Sequence, residues 1–156
     1  MGNIKVKLFK KKAPKTVANF LKYIDEKHYE NTVFHRVING FMIQAGGLDT
    51  NFNPKPTREP FENEAANKLS NKIGTIAMAR TFEPHSATCE FFINAADNGF
   101  LDYKAPSPQN YGYCVFGKVT EGMDVVAEIN KVQTGFKGVL ADVPEEDIII
   151  SEIVRC

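Results

Sequence analysis

Apolar and polar residues alternate from the start of the chain. Ile4, Val6 and Leu8 are separated by Lys5 and Lys7, the period of a strand with one buried face. Beyond Pro14 the period lengthens: Val17, Phe20, Leu21 and Ile24 recur at i, i+3, i+4 and i+7, which predicts a helix whose apolar stripe lies over a core. Pro14 suits the first turn of that helix, where its fixed φ fits and its missing N–H is no loss. From Thr32 the period returns to two. Residues 33–38 and 41–44 flank Asn39-Gly40, a dipeptide suited to a tight hairpin turn. Further strands are predicted over residues 74–79, 90–94, 113–119 and 147–154. A second helix is predicted over 122–131, with Met123, Val126, Ala127 and Asn130 on one side. Residues 46–69 and 103–111 read as long ordered loops, the latter punctuated by Pro106 and Pro108.

Many short strands with two isolated helices predict a mainly β chain, a barrel capped by helices, rather than an alternating α/β fold. A small barrel is filled by its own side chains, so a binding site on it belongs on the outer face. At 156 residues without internal repeats or a linker-like break, residues 1–156 are expected to form a single domain.

Composition narrows the function classes. The chain has 43% hydrophobic and 24% charged residues, ordinary for a globular protein. Its 19 basic and 19 acidic residues cancel, which argues against nucleic acid as a partner, since that binding rests on phosphate attraction. Lys10-Lys11-Lys12, the one basic run, reads as a solvated patch. No apolar segment reaches the roughly 18 residues of a membrane span, and the N-terminal residues lack the apolar stretch of a signal peptide. Cys89, Cys114 and Cys156 are widely spaced without a CxxC pair, which fits reduced thiols and a cytoplasmic location. His28, His35 and His85 share no ligand spacing with them, so no metal is expected.

The candidate chemistry lies in residues 34–47, where Arg36 stands among aromatic, aliphatic and thioether side chains with Gln44 eight positions on. Strands of Val, Ile and Phe have no structural need for an arginine in their middle. A cation over an apolar pocket suits a ligand that is apolar but carries a polar atom, as proline in a peptide does. Rotation about a peptide bond must break amide resonance, a barrier of roughly 18–20 kcal/mol, and uncatalysed X-Pro bonds exchange in about 10–100 s. A gain of about 10⁵ in rate requires about 7 kcal/mol off that barrier. A pocket for the ring, an anchor for the neighbouring carbonyl and a donor aimed at the imide nitrogen can supply it without cofactor. In the twisted state the nitrogen regains its lone pair, so a donor there favours the transition state over the ground state. Arg36, permanently charged with a rigid fork of N–H groups, is the candidate donor. Gln44 can donate and accept toward a substrate backbone; Phe41, Met42, Phe91, Phe92 and Leu101 are candidate apolar surface. Alternation sends His35 to the face opposite Arg36, as a hydrogen-bonded core histidine rather than a catalytic one. A plain two-residue hairpin at Asn39-Gly40 would separate Arg36 and Phe41 from Met42 and Gln44, so a shared site requires a bulge or a looser turn.

The segment from Phe34 to Gly47 resembles the active-site signature of the cyclophilins, the peptidyl-prolyl cis/trans isomerases. The resemblance extends through Ala13-Pro14-Lys15-Thr16-Val17-Ala18-Asn19-Phe20, Gly74-Thr75-Ile76-Ala77-Met78-Ala79, Phe91-Phe92-Ile93-Asn94, Val115-Phe116-Gly117-Lys118-Val119 and Gly122-Met123-Asp124-Val125-Val126. Ala79-Arg80-Thr81 and Pro84-His85-Ser86-Ala87-Thr88 look most like the bacterial-type cytoplasmic branch. The resemblance implies a closed eight-stranded antiparallel barrel with a helix at each end. It implies catalytic roles for Arg36, Phe41 and Gln44. Met42, Ala79, Arg80, Glu90, Phe91, Phe92, Phe100, Leu101 and Tyr113 are then expected to bind substrate. Proline-containing peptides and unfolded proteins are the expected partners of a monomer. Glu90 stands where the family usually has Gln, so it is expected to pair with Arg36 or to disfavour acidic substrates. Phe100 replaces a Trp of the cyclosporin-sensitive members, which predicts weak cyclosporin binding. Tyr113 replaces a frequent His, and Ala45 a common Gly. Relatives usually carry another strand before the position of Gly2, so either the barrel lacks a strand and has an open edge or the sequence is truncated. The competing function is a non-catalytic module that holds proline-containing segments as a chaperone or scaffold. A hydrolase centred on His85-Ser86 lacks the glycine pattern of a nucleophile elbow.

Overall fold

The computed structural model describes residues 1–156. Its strands are β1 (Lys5–Leu8), β2 (Thr32–Val33), β3 (Arg36–Ile38), β4 (Met42–Ala45), β5 (Thr75–Met78), β6 (Phe91–Asn94), β7 (Val115–Glu121), β8 (Thr134–Lys137), β9 (Leu140–Pro144) and β10 (Ile149–Ile150). Its α-helices are α1 (Pro14–Asp25) and α2 (Met123–Asn130), with short 3-10 turns at Ala65–Asn67 and Gly99–Leu101. The alternation and helical periods therefore translate into elements close to those expected. The main exceptions are the β8–β9 hairpin, which the pattern did not predict, and the 147–154 segment, which pairs only at β10.

α1 starts at Pro14 and buries Val17, Phe20 and Ile24 as its stripe requires. Its N-terminus has no capping side chain of its own. The Glu64 carboxylate, brought in from the long loop, accepts from the Thr16 N–H (2.7 Å) and hydroxyl (2.8 Å) and meets one of the unsatisfied donors there. Phe20 carries the helix into the core, 5.1–5.6 Å ring to ring from Tyr29, Phe91 and Phe116. Cys89 and Cys114 are buried there, their thiols pushed up to about 11 by burial, and no disulfide forms.

Six strands form one sheet in the order β1-β7-β5-β6-β4-β3, every pair antiparallel. β2 runs into β3 along the same stretch of chain but pairs with β10, and β8 pairs with β9. The expected closed eight-stranded barrel is not found: hydrogen bonds do not close the sheet. Parity explains why. The sequence of neighbours β1, β7, β5, β6, β4, β3/β2, β10 counts seven positions, and with antiparallel steps throughout its two ends run parallel. An all-antiparallel ring needs an even number of strands, so β1 and β10 cannot pair in that pattern, and an open cleft of about 1380 Å³ lies between them.

The sheet still has two faces. The larger apolar cluster, with Phe20, Tyr29, Ile43, Phe91, Ile93 and Phe116, lies on the α1 side. A smaller one, centred on Met42, Ala77, Phe92 and Val115, lies on the other. No helix is long and apolar enough to cross a membrane.

Candidate active site

The turn joining β3 and β4 decides which side chains meet. The register pairs Arg36 with Gln44, Val37 with Ile43 and Ile38 with Met42, so the loop has three residues, Asn39, Gly40 and Phe41, rather than two. Gly40 takes φ +73°, the left-handed conformation that such a loop needs. The extra residue shifts the pleat by one and brings Arg36, Ile38, Met42 and Gln44 to one face, opposite Val37 and Ile43 in the main core. Phe41 stays at the loop, its N–H donating to Ile38 (3.0 Å). Of the alternatives posed by the pattern, the looser turn is the one present.

Arg36 is exposed and forms no ion pair; its one side-chain hydrogen bond runs from Nη1 to Gln44 Oε1 at a long 3.4 Å. Gln44 in turn donates from Nε2 to Glu90 Oε2 (2.9 Å). Glu90 thus pairs with Gln44 and not with Arg36. It turns the Gln44 amide so that the acceptor faces the guanidinium and one N–H remains for a ligand. A Cβ at Gly47 would collide with the Glu90 carboxylate, so glycine there leaves room for it. His35 is buried, as alternation required, but it is not hydrogen-bonded as expected. Nδ1 has no partner, and Nε2 lies 3.8 Å from Glu90 Oε2. Burial lowers the His35 pKa, against an opposing pull from Glu90, so the ring is neutral near pH 7.

Beside this polar row lies an apolar surface. Met42 and Phe92 form its floor, with Phe41, Ala79, Leu101 and Tyr113 packed around them. Tyr113 meets Phe92 edge-on at 5.8 Å, and the Arg80 guanidinium lies 4.6 Å over the Tyr113 ring. Arg80 is anchored by Nε donating to the Gly112 carbonyl (2.9 Å). Phe100 stacks on Phe41 (5.7 Å, 27°) and is 66% exposed at the rim. Phe91 is not with them. Its side chain, 3% exposed, points to the other face against Phe20 and Tyr29.

The residues that hold these parts in place were not singled out by the sequence. Asn98 donates from Nδ2 to the Phe41 carbonyl (3.0 Å) and to Asn94 Oδ1 (2.8 Å). Asn71 donates from Nδ2 to the carbonyls of Leu101 (3.3 Å) and Tyr113 (3.2 Å) and accepts from Asn94. Asp102 accepts from the Ser70 hydroxyl (2.6 Å) and the Asn71 N–H (2.7 Å). Burial pushes the Asp102 pKa up, but those hydrogen bonds outweigh it and hold the carboxyl below its ordinary value. Asn130, at the end of α2, accepts from the Gly40 N–H (2.9 Å) and donates to the Ile38 carbonyl (2.9 Å), clamping the hairpin tip. Asparagine in loops usually signals turns; nothing in its spacing marked these as a buried network.

Chemically, the face offers a free guanidinium, an oriented amide and an apolar hollow side by side. No group of three or more His, Cys, Asp or Glu side chains is arranged to hold a metal ion.

Residues 1–155 match the family described as cyclophilin type peptidyl-prolyl cis-trans isomerase/CLD. The chain is 56% identical to peptidyl-prolyl cis-trans isomerase B of Escherichia coli over 97% of this chain and 93% of that one. It is 50% identical to an isomerase of Streptomyces antibioticus over 96% and 90%. Among solved structures, a Cryptosporidium parvum cyclophilin type isomerase, crystallised in the presence of the dipeptide Ala-Pro, superposes with a TM-score of 0.75 at 25% identity, covering 97% of this chain and 90% of that one. The chain belongs to the cyclophilin type peptidyl-prolyl cis-trans isomerases, with bacterial relatives foremost, and is an enzyme of that activity.

Proposed function

We propose that this isomerase, acting as a single domain over residues 1–156, turns X-Pro bonds on the face that carries Arg36, with Arg36 as the donor to the imide nitrogen. The observation that carries this reading is the three-residue hairpin loop, which sets Arg36 and Gln44 beside the Met42–Phe92 surface. The proline ring sits over Met42 and Phe92, walled by Phe41, Leu101 and Tyr113. Gln44 holds a neighbouring backbone group through its remaining N–H. As the bond twists, the imide nitrogen pyramidalises and its lone pair accepts from the guanidinium. This interaction is absent in the planar ground state and lowers the barrier without a covalent step. Arg36 suits the task because nothing else claims its charge.

Proline-containing peptides are the substrates of this reading, consistent with the Ala-Pro present with the parasite relative. A monomer in the cytoplasm that binds cyclosporin weakly completes it, since Phe100 offers no N–H at the exposed rim. Arg36→Ala should cut kcat/KM for an Ala-Pro peptide by at least a hundredfold, about 2.7 kcal/mol, with peptide affinity changed only a few fold. Exchange NMR on the peptide with catalytic amounts of each protein measures both. An Arg36→Ala enzyme as fast as the parent would refute the mechanism.

A further inference from the structure

The polar row on β3 and β4 does not end at Glu90. The oxygen that accepts from Gln44 Nε2 at 2.9 Å, Oε2, also lies 3.8 Å from Nε2 of the buried His35. One carboxylate oxygen is thus approached from two sides, by Gln44 on the face it shares with Arg36 and by His35 from the interior. Gly47 backs the same carboxylate. At 3.8 Å the neutral ring makes no hydrogen bond, so Gln44 has Oε2 to itself. An imidazolium would change that balance, because its N–H closes on a carboxylate to about 2.7–2.9 Å. The oxygen would shift toward the interior, and the Gln44 bond on its far side would stretch beyond useful length.

We propose that His35 is a positioning residue of the isomerase: protonated in mild acid, it draws the Glu90 carboxylate off Gln44 and frees the amide that holds the substrate backbone. The inference rests on the role given to Gln44 above. It also depends on the carboxylate, since an amide at position 90 would hold Gln44 but offer the imidazolium no charge. Two charges act on the ring. Glu90 favours its protonation, whereas Arg36, its neighbour on β3, opposes it together with burial, the largest effect. The other titratable groups nearby do not supply the charge. Burial pushes the Cys89 thiol up to about 11 and holds Tyr29, whose hydroxyl donates to the Cys89 carbonyl, far above the ordinary phenol value. His28 donates to the Gly46 carbonyl, and the charge it feels is Lys55.

The test is a pH series from 7.5 to 5 on a capped Ala-Pro peptide, which carries no titrating group, with the whole ¹⁵N-labelled chain. Between those limits kcat/KM of the parent should fall by about threefold or more, through a higher KM with kcat little changed, as loss of a backbone-holding contact requires. The Gln44 side-chain amide signals should move with the same midpoint as the His35 ring. His35→Gln and Glu90→Gln, each read against its own value at pH 7.5, should give level profiles and still Gln44 signals. Glu90 is only partly buried, so its variant decides the matter even where the core substitution does not fold. A level profile in the parent would overturn the proposal. So would an equal fall in the parent and Glu90→Gln, or a fall that tracks loss of the far-ultraviolet circular dichroism signal. Gln44 signals that follow His35, beside an Arg36→Ala enzyme as fast as the parent, would sink the Arg36 mechanism and leave this coupling standing.

Discussion

At the scale of single residues, the proposed site depends on how little Arg36 is held. A guanidinium locked to a carboxylate would face a competitor for the developing lone pair, whereas one long bond to a neutral amide leaves its donors available. Glu90 contributes indirectly: its carboxylate fixes the Gln44 amide, and Gln44 in turn gives Arg36 its one partner. Glu90→Gln keeps an acceptor for Gln44 Nε2 and should hold kcat/KM within about twofold, well under 1 kcal/mol. Glu90→Ala leaves the amide free to rotate and should lower kcat/KM about fivefold to tenfold, roughly 1–1.4 kcal/mol. Steady-state rates on one Ala-Pro peptide separate the two variants; equal losses would mean that the negative charge, not the acceptor, matters. The sequence disclosed Arg36, Gln44 and Glu90 as types and positions. It did not disclose who pairs with whom, because a carboxylate two strands away can reach either an arginine or an amide, and side-chain reach is settled only by register.

At the scale of elements, the β3–β4 hairpin bears Arg36 and Gln44, and its tip is not self-sufficient. Period-two patterning located both strands, and Asn39-Gly40 located the turn. The loop length, one residue longer than the dipeptide suggests, was not legible, because it depends on a contact ninety residues away. Asn130 supplies that contact, accepting from Gly40 and donating to Ile38. Helical periodicity identified Asn130 only as a member of one side of α2. Asn130→Ala should leave the part-buried Gly40 N–H and Ile38 C=O short of a protein partner and cost about 1–2 kcal/mol, read as a lower urea midpoint with unchanged slope. Because the loosened hairpin bears both Arg36 and Gln44, kcat/KM should fall as well. A variant that loses stability but keeps full activity would show that β4, paired to β6, holds the site without its tip. The β8–β9 hairpin escaped the reading for a related reason: Phe136, the large apolar residue of β8, is exposed, so no buried alternation marked that strand.

At the scale of the whole molecule, the number of strands governs whether the sheet closes, and no local pattern encodes a count. Each strand was legible by itself, yet seven antiparallel positions leave an open cleft where eight would form a ring. Core histidines add a second global property, a sensitivity to mild acid. His28 donates from Nε2 to the Gly46 carbonyl (2.9 Å) and His35 sits beside Glu90, and burial lowers the pKa of both below the ordinary 6.5. In the unfolded chain each binds a proton near pH 6.5, while in the folded chain each resists until lower pH. Between those limits the unfolded state holds more protons, so stability present above pH 6.5 declines as pH falls through that value. The carboxylates held low, Glu62 and Asp102, act only below their ordinary values of 4.5 and 3.8, in a separate window. Urea midpoints at pH 8, 7, 6 and 5.5 should therefore be level between the first two and fall across the last two. His35→Gln should lessen that fall and leave the part due to His28, since a neutral amide in its place has no proton to exclude. A midpoint that rises on acidification would mean that the Glu90 carboxylate draws a proton onto His35 in the folded chain, and would reverse the sign of the coupling between them.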